Sequence, residues 1–283
     1  MSGYLERLAL SSIRAGSRLC IGIDPDLATL PDGYRSVARL ADWVRLLVDA
    51  TVGHAAAYKV NIAFFEALGW EGMRAAEQVR GIVPADVPLV VDAKRGDIGS
   101  TVAAQARALY DVLGADAVTA SPYLGIGALA PLLERVDGFT YLLCRTSNPE
   151  SAEFQELPVE GRAGGVPLYL RVADAAAARP EARAGRIGLV VGATAGDDLA
   201  VLRARVPTLP FLVPGIGAQG GDVQATVRHG GARDGVAGGS VGGGLLVNVG
   251  RGISDGVADA ADPVAHLRAR AAEWGAHLAI LAR

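Results

Sequence analysis

The chain has 283 residues, 51% of them hydrophobic and 20% charged, with a formal net charge of −3. That balance supplies a sizeable core and excludes global disorder; with no basic tail or long like-charge block, nucleic acid is a poor candidate partner. Charges or turn residues interrupt every apolar stretch before the roughly 18–20 residues of a membrane span, so no spanning helix is expected.

Eight short apolar or β-branched runs follow, at 19–25, 55–61, 89–94, 117–122, 140–147, 187–194, 211–217 and 245–250. They lack strict apolar/polar alternation, which marks strands buried on both faces, as in a parallel sheet. Helical patterns fill most of the intervals, at 37–52, 64–83, 100–113, 168–178, 197–205 and 222–229, with a last helix at 263–281. Eight β-then-α units predict a single α/β domain over residues 1–283, a (β/α)8 TIM barrel. An open doubly wound sheet is the alternative that strand counting leaves standing. A polar insertion at 148–165 and a Gly-rich link at 230–244 break the rhythm. In a barrel the first falls on the catalytic face and the second on the opposite one. Residues 1–7 lack the basic-then-apolar order of a signal peptide, and Cys20 and Cys144 sit inside apolar runs. Buried, reduced thiols and a cytoplasmic location are the expectation.

Of 27 cationic residues only Lys59 and Lys94 are lysine, and each closes an apolar run read as a strand. Arginine keeps its charge, whereas lysine is a compact ammonium that can hand over a proton. Asp24, Lys59, Asp92, Lys94, Asp97, Thr146, Ser147, Gln219 and Arg251 all fall at C-terminal strand ends, the active-site rim of a barrel. The densest segment is Asp92-Ala93-Lys94-Arg95-Gly96-Asp97-Ile98-Gly99-Ser100-Thr101. Residues two apart on a strand share a face, so Asp92 and Lys94 are expected side by side. Alternating Lys-Asp-Lys-Asp charges would hold a charged lysine in place. A salt-bridge brace at the barrel mouth is the plain alternative. The histidines lie on or beside predicted helices, and no Cys/His cluster has zinc spacing.

The strand-three segment resembles the signature of orotidine 5′-phosphate decarboxylases, in their longer bacterial branch, the type 2 subfamily. Gly22-Ile23-Asp24-Pro25, Tyr58-Lys59-Val60-Asn61 and Cys144-Arg145-Thr146-Ser147-Asn148-Pro149 agree in order and spacing. Val213-Pro214-Gly215-Ile216-Gly217 and Asn248-Val249-Gly250-Arg251-Gly252 extend the likeness over nearly the whole chain. The resemblance implies conversion of orotidine 5′-phosphate to uridine 5′-phosphate in pyrimidine biosynthesis, without metal or organic cofactor. It further implies that Lys94 gives a proton to C6, with Asp92 and Lys59 completing the array. Asp97 would be donated across a homodimer interface into the neighbouring site. Asp24 would bind ribose hydroxyls, Thr101 the partner's ribose and Ser147 the pyrimidine edge. Gln219 would bridge base and phosphate, and Gly250 and Arg251 would hold the phosphate.

Rival readings differ at named residues. A metal-dependent sugar-phosphate decarboxylase or aldolase of the same superfamily shares the Asp-x-Lys-x-x-Asp pattern but uses an acidic ligand on strand two, where this chain has the cation-repelling Lys59. A Schiff-base aldolase would need a nucleophilic Lys94, which flanking aspartates disfavour. A non-catalytic binder of phosphate ligands needs the pocket but not the Lys/Asp array.

Overall fold

The computed structural model describes residues 3–160, 165–193, 196–216, 221–232 and 241–280. Eight parallel strands close into a barrel, in keeping with the (β/α)8 expectation. They are β1 Leu19–Ile23, β2 Ala57–Asn61, β3 Leu89–Arg95, β4 Ala117–Ala120, β5 Phe139–Arg145, β6 Ile187–Val191, β7 Phe211–Val213 and β8 Leu246–Val249. Neighbours pair in chain order, and β8 returns to β1 with Leu19 opposite Val247. Closure excludes the open doubly wound sheet. Every residue of β1 and β6 is buried, one face against the barrel interior and the other against helices. That double burial is why the sequence shows no alternation.

Inside the barrel, Cys20, Ala57, Val90, Phe139, Tyr141 and Leu212 form part of one apolar cluster. Its lower end is closed by a helix before β1, α1 Tyr4–Ala15, which adds Tyr4, Leu5 and Leu8. The Tyr4 hydroxyl lies 3.0 Å from that of Tyr141, and the Tyr4 ring sits 4.7 Å from Phe139. Counting β-then-α units passes over α1, although its buried positions, Tyr4, Leu5, Leu8, Ser11 and Ser12, recur at helical spacing.

Three of the expected helices are not continuous. Residues 37–52 split into a 3-10 turn, Val37–Arg39, and a helix, Leu40–Thr51. Residues 64–83 form two helices, Ile62–Glu66 and Gly69–Ile82, the second entered through Gly69 at φ 68°, a left-handed conformation that interrupts helix. Residues 100–113 run from an α-helix, Gly99–Ala106, into a π-helical stretch, Arg107–Val112. The last helix, Pro263–His277, stops short of 281. Among the described residues no helix is long and apolar enough to cross a membrane.

The N-terminal face of the barrel is knotted by Asp116, just before β4. Its carboxylate accepts from Arg7 at 2.6 Å, Arg80 at 2.9 Å and the Leu89 backbone N–H at 2.7 Å. This ties α1, the helix before β3 and β3 itself to one half-buried group. Replacing Asp116 by alanine strands all three donors and is expected to cost about 2–4 kcal/mol of stability, below a fully buried pair because both arginines are partly exposed. The loss should appear as a lower denaturant midpoint with activity per folded molecule preserved. An unchanged midpoint would contradict it.

Candidate active site

β3 carries the decisive residues, and its pairing with β4 is irregular where they stand. Val91 pairs with Val118 but Arg95 pairs with Ala120, so Asp92, Ala93 and Lys94 together face Thr119 alone. Lys94 lies in this bulge at φ 47°, the sole non-glycine at positive φ among the described residues. A left-handed L-residue costs roughly 1–2 kcal/mol, so other contacts must hold it there. The expectation that spacing along a regular strand aligns Asp92 and Lys94 is therefore right in outcome but not in cause. The two meet because the strand bulges.

Asp92 is the hub. Its Oδ2 accepts from Lys59 Nζ at 3.1 Å. Its Oδ1 accepts from Lys94 Nζ at 2.8 Å and from the Thr119 hydroxyl at 2.7 Å. Burial alone would raise the carboxyl's pKa, but Lys59 and then Lys94 hold it well below the usual carboxylate range. Lys59 is only 3% exposed. Burial opposes its charge as well, yet Asp24 and Asp92 push its pKa above the ordinary lysine value. Asp24 Oδ1 stands 4.0 Å from Lys59 Nζ, buried and without a hydrogen bond. The Asn248 Oδ1 atom on β8 is also buried and unpaired. Two orphaned acceptors near the mouth suit a ligand that brings hydroxyl or N–H donors.

Glycines shape the floor beside Asp24. A Cβ on Gly22 would lie 2.8 Å from Gly250 Cα, and one on Gly250 would lie 2.7 Å from Asp24 Oδ2. Neither position has room for a side chain, so β1 and β8 approach closely beneath the carboxylate. Arg251 follows, exposed at the start of a short helix, Arg251–Ser254, with no ion pair among the described residues. Ser147, just past β5, presses its backbone on Gly192, where a Cβ would come within 2.6 Å of Ser147 N.

The remaining expected residues stand apart from the array. Asp97 is half-buried, and its Oδ1 accepts from the Ile98 N–H at 2.8 Å. It forms no ion pair with either lysine of its own chain. Thr101 is exposed in the first turn of the Gly99–Ala106 helix. Gln219 lies outside the described residues.

Two residues that sequence reading does not single out belong to the framework. Thr119 holds Asp92 and also accepts from the Lys94 backbone N–H at 2.9 Å. Arg145 anchors the insertion after β5, donating to Ser151, Glu156 and, at 2.8 Å, Asp198. The insertion includes a helical turn, Ala152–Gln155, and a short strand, Pro158–Val159, that pairs with Val166–Pro167 just beyond its end. At this end of the barrel a cavity of about 460 Å³ runs from Ser121 and Leu143 to Phe154, Leu168 and Tyr169. The only sequence signal for Thr119 is a polar side chain inside an otherwise apolar strand.

Comparison with known proteins agrees with this fold. The profile of the orotidine 5′-phosphate decarboxylase / HUMPS family matches residues 17–270. The orotidine 5′-phosphate decarboxylase of Thermomicrobium roseum is 47% identical, over 80% of this chain and 80% of its own. That of Herpetosiphon aurantiacus is 43% identical, over 81% of this chain and 84% of its own. The structure of Leishmania donovani OMP decarboxylase superposes with a TM-score of 0.81 at 40% identity, covering 98% of each chain. With the match running from β1 through β8 into the final helix, the chain belongs to the orotidine 5′-phosphate decarboxylase / HUMPS family.

Proposed function

We infer that this chain decarboxylates orotidine 5′-phosphate to uridine 5′-phosphate and carbon dioxide, a step of pyrimidine biosynthesis. The observation that carries the reading is the Lys59–Asp92–Lys94 array at the strand ends of a barrel of this family. The bond from C6 to the carboxylate breaks, leaving its electron pair at C6 while carbon dioxide departs. The ring offers that pair no sink, so preorganised charge must stabilise it. Lys94 Nζ stands ready to supply both the positive charge and the proton that forms the new C6–H bond. The resulting amine recovers its proton from solvent. Asp92, held by Lys59 and Thr119, fixes the ammonium and crowds the leaving carboxylate. No metal or organic group is needed in this scheme, and the buried cation Lys59 occupies the place where a metal-dependent relative would put a ligand.

The other roles belong to the same proposal. Asp24, with its unpaired buried oxygen, binds ribose hydroxyls. Ser147 meets the pyrimidine edge, and Gln219 bridges base and phosphate. Gly250 and Arg251 hold the phosphate, and Thr101 reaches the ribose of a neighbouring subunit. Asp97, unpaired with its own lysines, completes the array of a second copy in a homodimer. Exposed Phe64, Ile98, Tyr123 and Leu124 follow β2, β3 and β4, an apolar rim suited to that second copy. One catalytic domain over the whole chain and a cytoplasmic location complete the reading.

Remote binding energy from the phosphate can drive orientation at the reacting carbon. Removing Arg251 takes away charged hydrogen bonds worth about 1.5–3 kcal/mol each. Arg251→Ala is therefore expected to lower kcat/KM for orotidine 5′-phosphate about 10–100-fold, and much less for orotidine, which lacks the phosphate. Equal losses on both substrates would make Arg251 structural. No turnover of orotidine 5′-phosphate by wild-type protein would overturn the function itself.

A further inference from the structure

The bulge in β3 breaks the backbone ladder at the catalytic residues. Three residues facing one cannot all keep their ladder bonds, and the Lys94 N–H is one of those displaced. It donates instead to Thr119 Oγ1 at 2.9 Å. Having accepted there, the threonine hydroxyl has a single proton to give, and gives it to Asp92 Oδ1 at 2.7 Å. That same oxygen receives Lys94 Nζ at 2.8 Å. The bonds close a ring that holds Lys94 at both ends, its backbone by Thr119 and its ammonium by Asp92. Thr119 itself is 1% exposed, below the surface any ligand could touch.

Packing does not do this work for the lysine. The Lys94 side chain is 50% exposed and Asp92 is its one ion-pair partner among the described residues. The position of its ammonium is thus set by a strained backbone and one carboxylate, and the Thr119 hydroxyl bonds to both. We propose that Thr119 is a positioning residue for the decarboxylation, its hydroxyl fixing where the Lys94 ammonium stands. The catalytic half of this proposal rests on Lys94 being the proton donor. Misplacement of a reacting group by about 1 Å can cost around 100-fold in rate, which sets the scale of the effect.

Valine matches threonine in shape but has no hydroxyl, and serine keeps the hydroxyl without the methyl. Thr119→Val is expected to lower kcat about 100-fold while KM changes less than about threefold. Thr119→Ser is expected to stay within about fivefold of wild-type kcat. A role in packing alone predicts the reverse order, with serine the worse of the two. Hydrogen exchange of the Lys94 amide, read by NMR, tests the hold without reference to catalysis. It is expected to speed up at least about tenfold in Thr119→Val and little in Thr119→Ser. If the valine variant does not fold, Thr119→Ala against Thr119→Ser makes the same comparison. A valine variant keeping half of wild-type turnover, a serine variant as impaired as the valine one, or unchanged Lys94 amide exchange would each overturn the positioning role. Full turnover by Lys94→Ala would instead overturn the proton-donor reading, and the amide exchange would still decide the hydroxyl's hold.

Discussion

Lys94→Arg is expected to lose about three orders of magnitude or more in turnover while folding normally, since general acid catalysis alone contributes about 10²–10⁴-fold. The substitution keeps a positive charge at the end of β3, so any role as a mere counter-ion to Asp92 would survive it. A guanidinium, however, is planar, longer and does not give up its proton under ordinary conditions. It cannot stand where the Lys94 ammonium stands, 2.8 Å from Asp92 Oδ1, and also protonate a carbanion. Single-turnover kinetics with orotidine 5′-phosphate, alongside a thermal melt, separate lost chemistry from lost fold. A folded arginine variant retaining a tenth of wild-type turnover would refute the proton-donor role.

Mixing two inactive variants, Lys94→Ala and Asp97→Ala, is expected to restore activity. Among the described residues Asp97 accepts from its neighbour's N–H and ion-pairs with neither lysine of its own chain, although it lies three residues beyond Lys94. Each site of a two-fold dimer would then take Lys94 from one chain and Asp97 from the other. In a mixed dimer one site carries both defects and the other carries none. Random exchange makes half the dimers mixed, so roughly a quarter of all sites should recover. Were Asp97 to serve its own chain, every site would keep a defect. No recovery, with exchange verified by mass-tagged subunits, would end the shared-site reading and leave the decarboxylase assignment in place.

The barrel was legible because its strands are buried on both faces and so read as unbroken apolar runs. Lys59 and Lys94 were legible because lysine is scarce in this chain; both meet at Asp92, Lys59 from the end of β2 and Lys94 only through the bulge in β3. What stayed hidden depends on tertiary register. The three-against-one bulge opposite Thr119 leaves no local mark, and a threonine in Ala-Val-Thr-Ala reads as an ordinary β-branched core residue. The π-helical winding at Arg107–Val112 was equally invisible, since its side-chain pattern resembles that of an α-helix. Arg145 was passed over because its partners, Glu156 and Asp198, come from two later segments that only folding brings together.

The most direct measurement adds orotidine 5′-phosphate to protein stripped by exhaustive chelation and follows the pyrimidine absorbance together with released carbon dioxide. The absorbance is expected to fall at the undiminished wild-type rate, with one carbon dioxide released for each uridine 5′-phosphate formed. Activity that vanished with chelator and returned only with magnesium would contradict a mechanism built on the protein's own side chains, as would no fall under any condition.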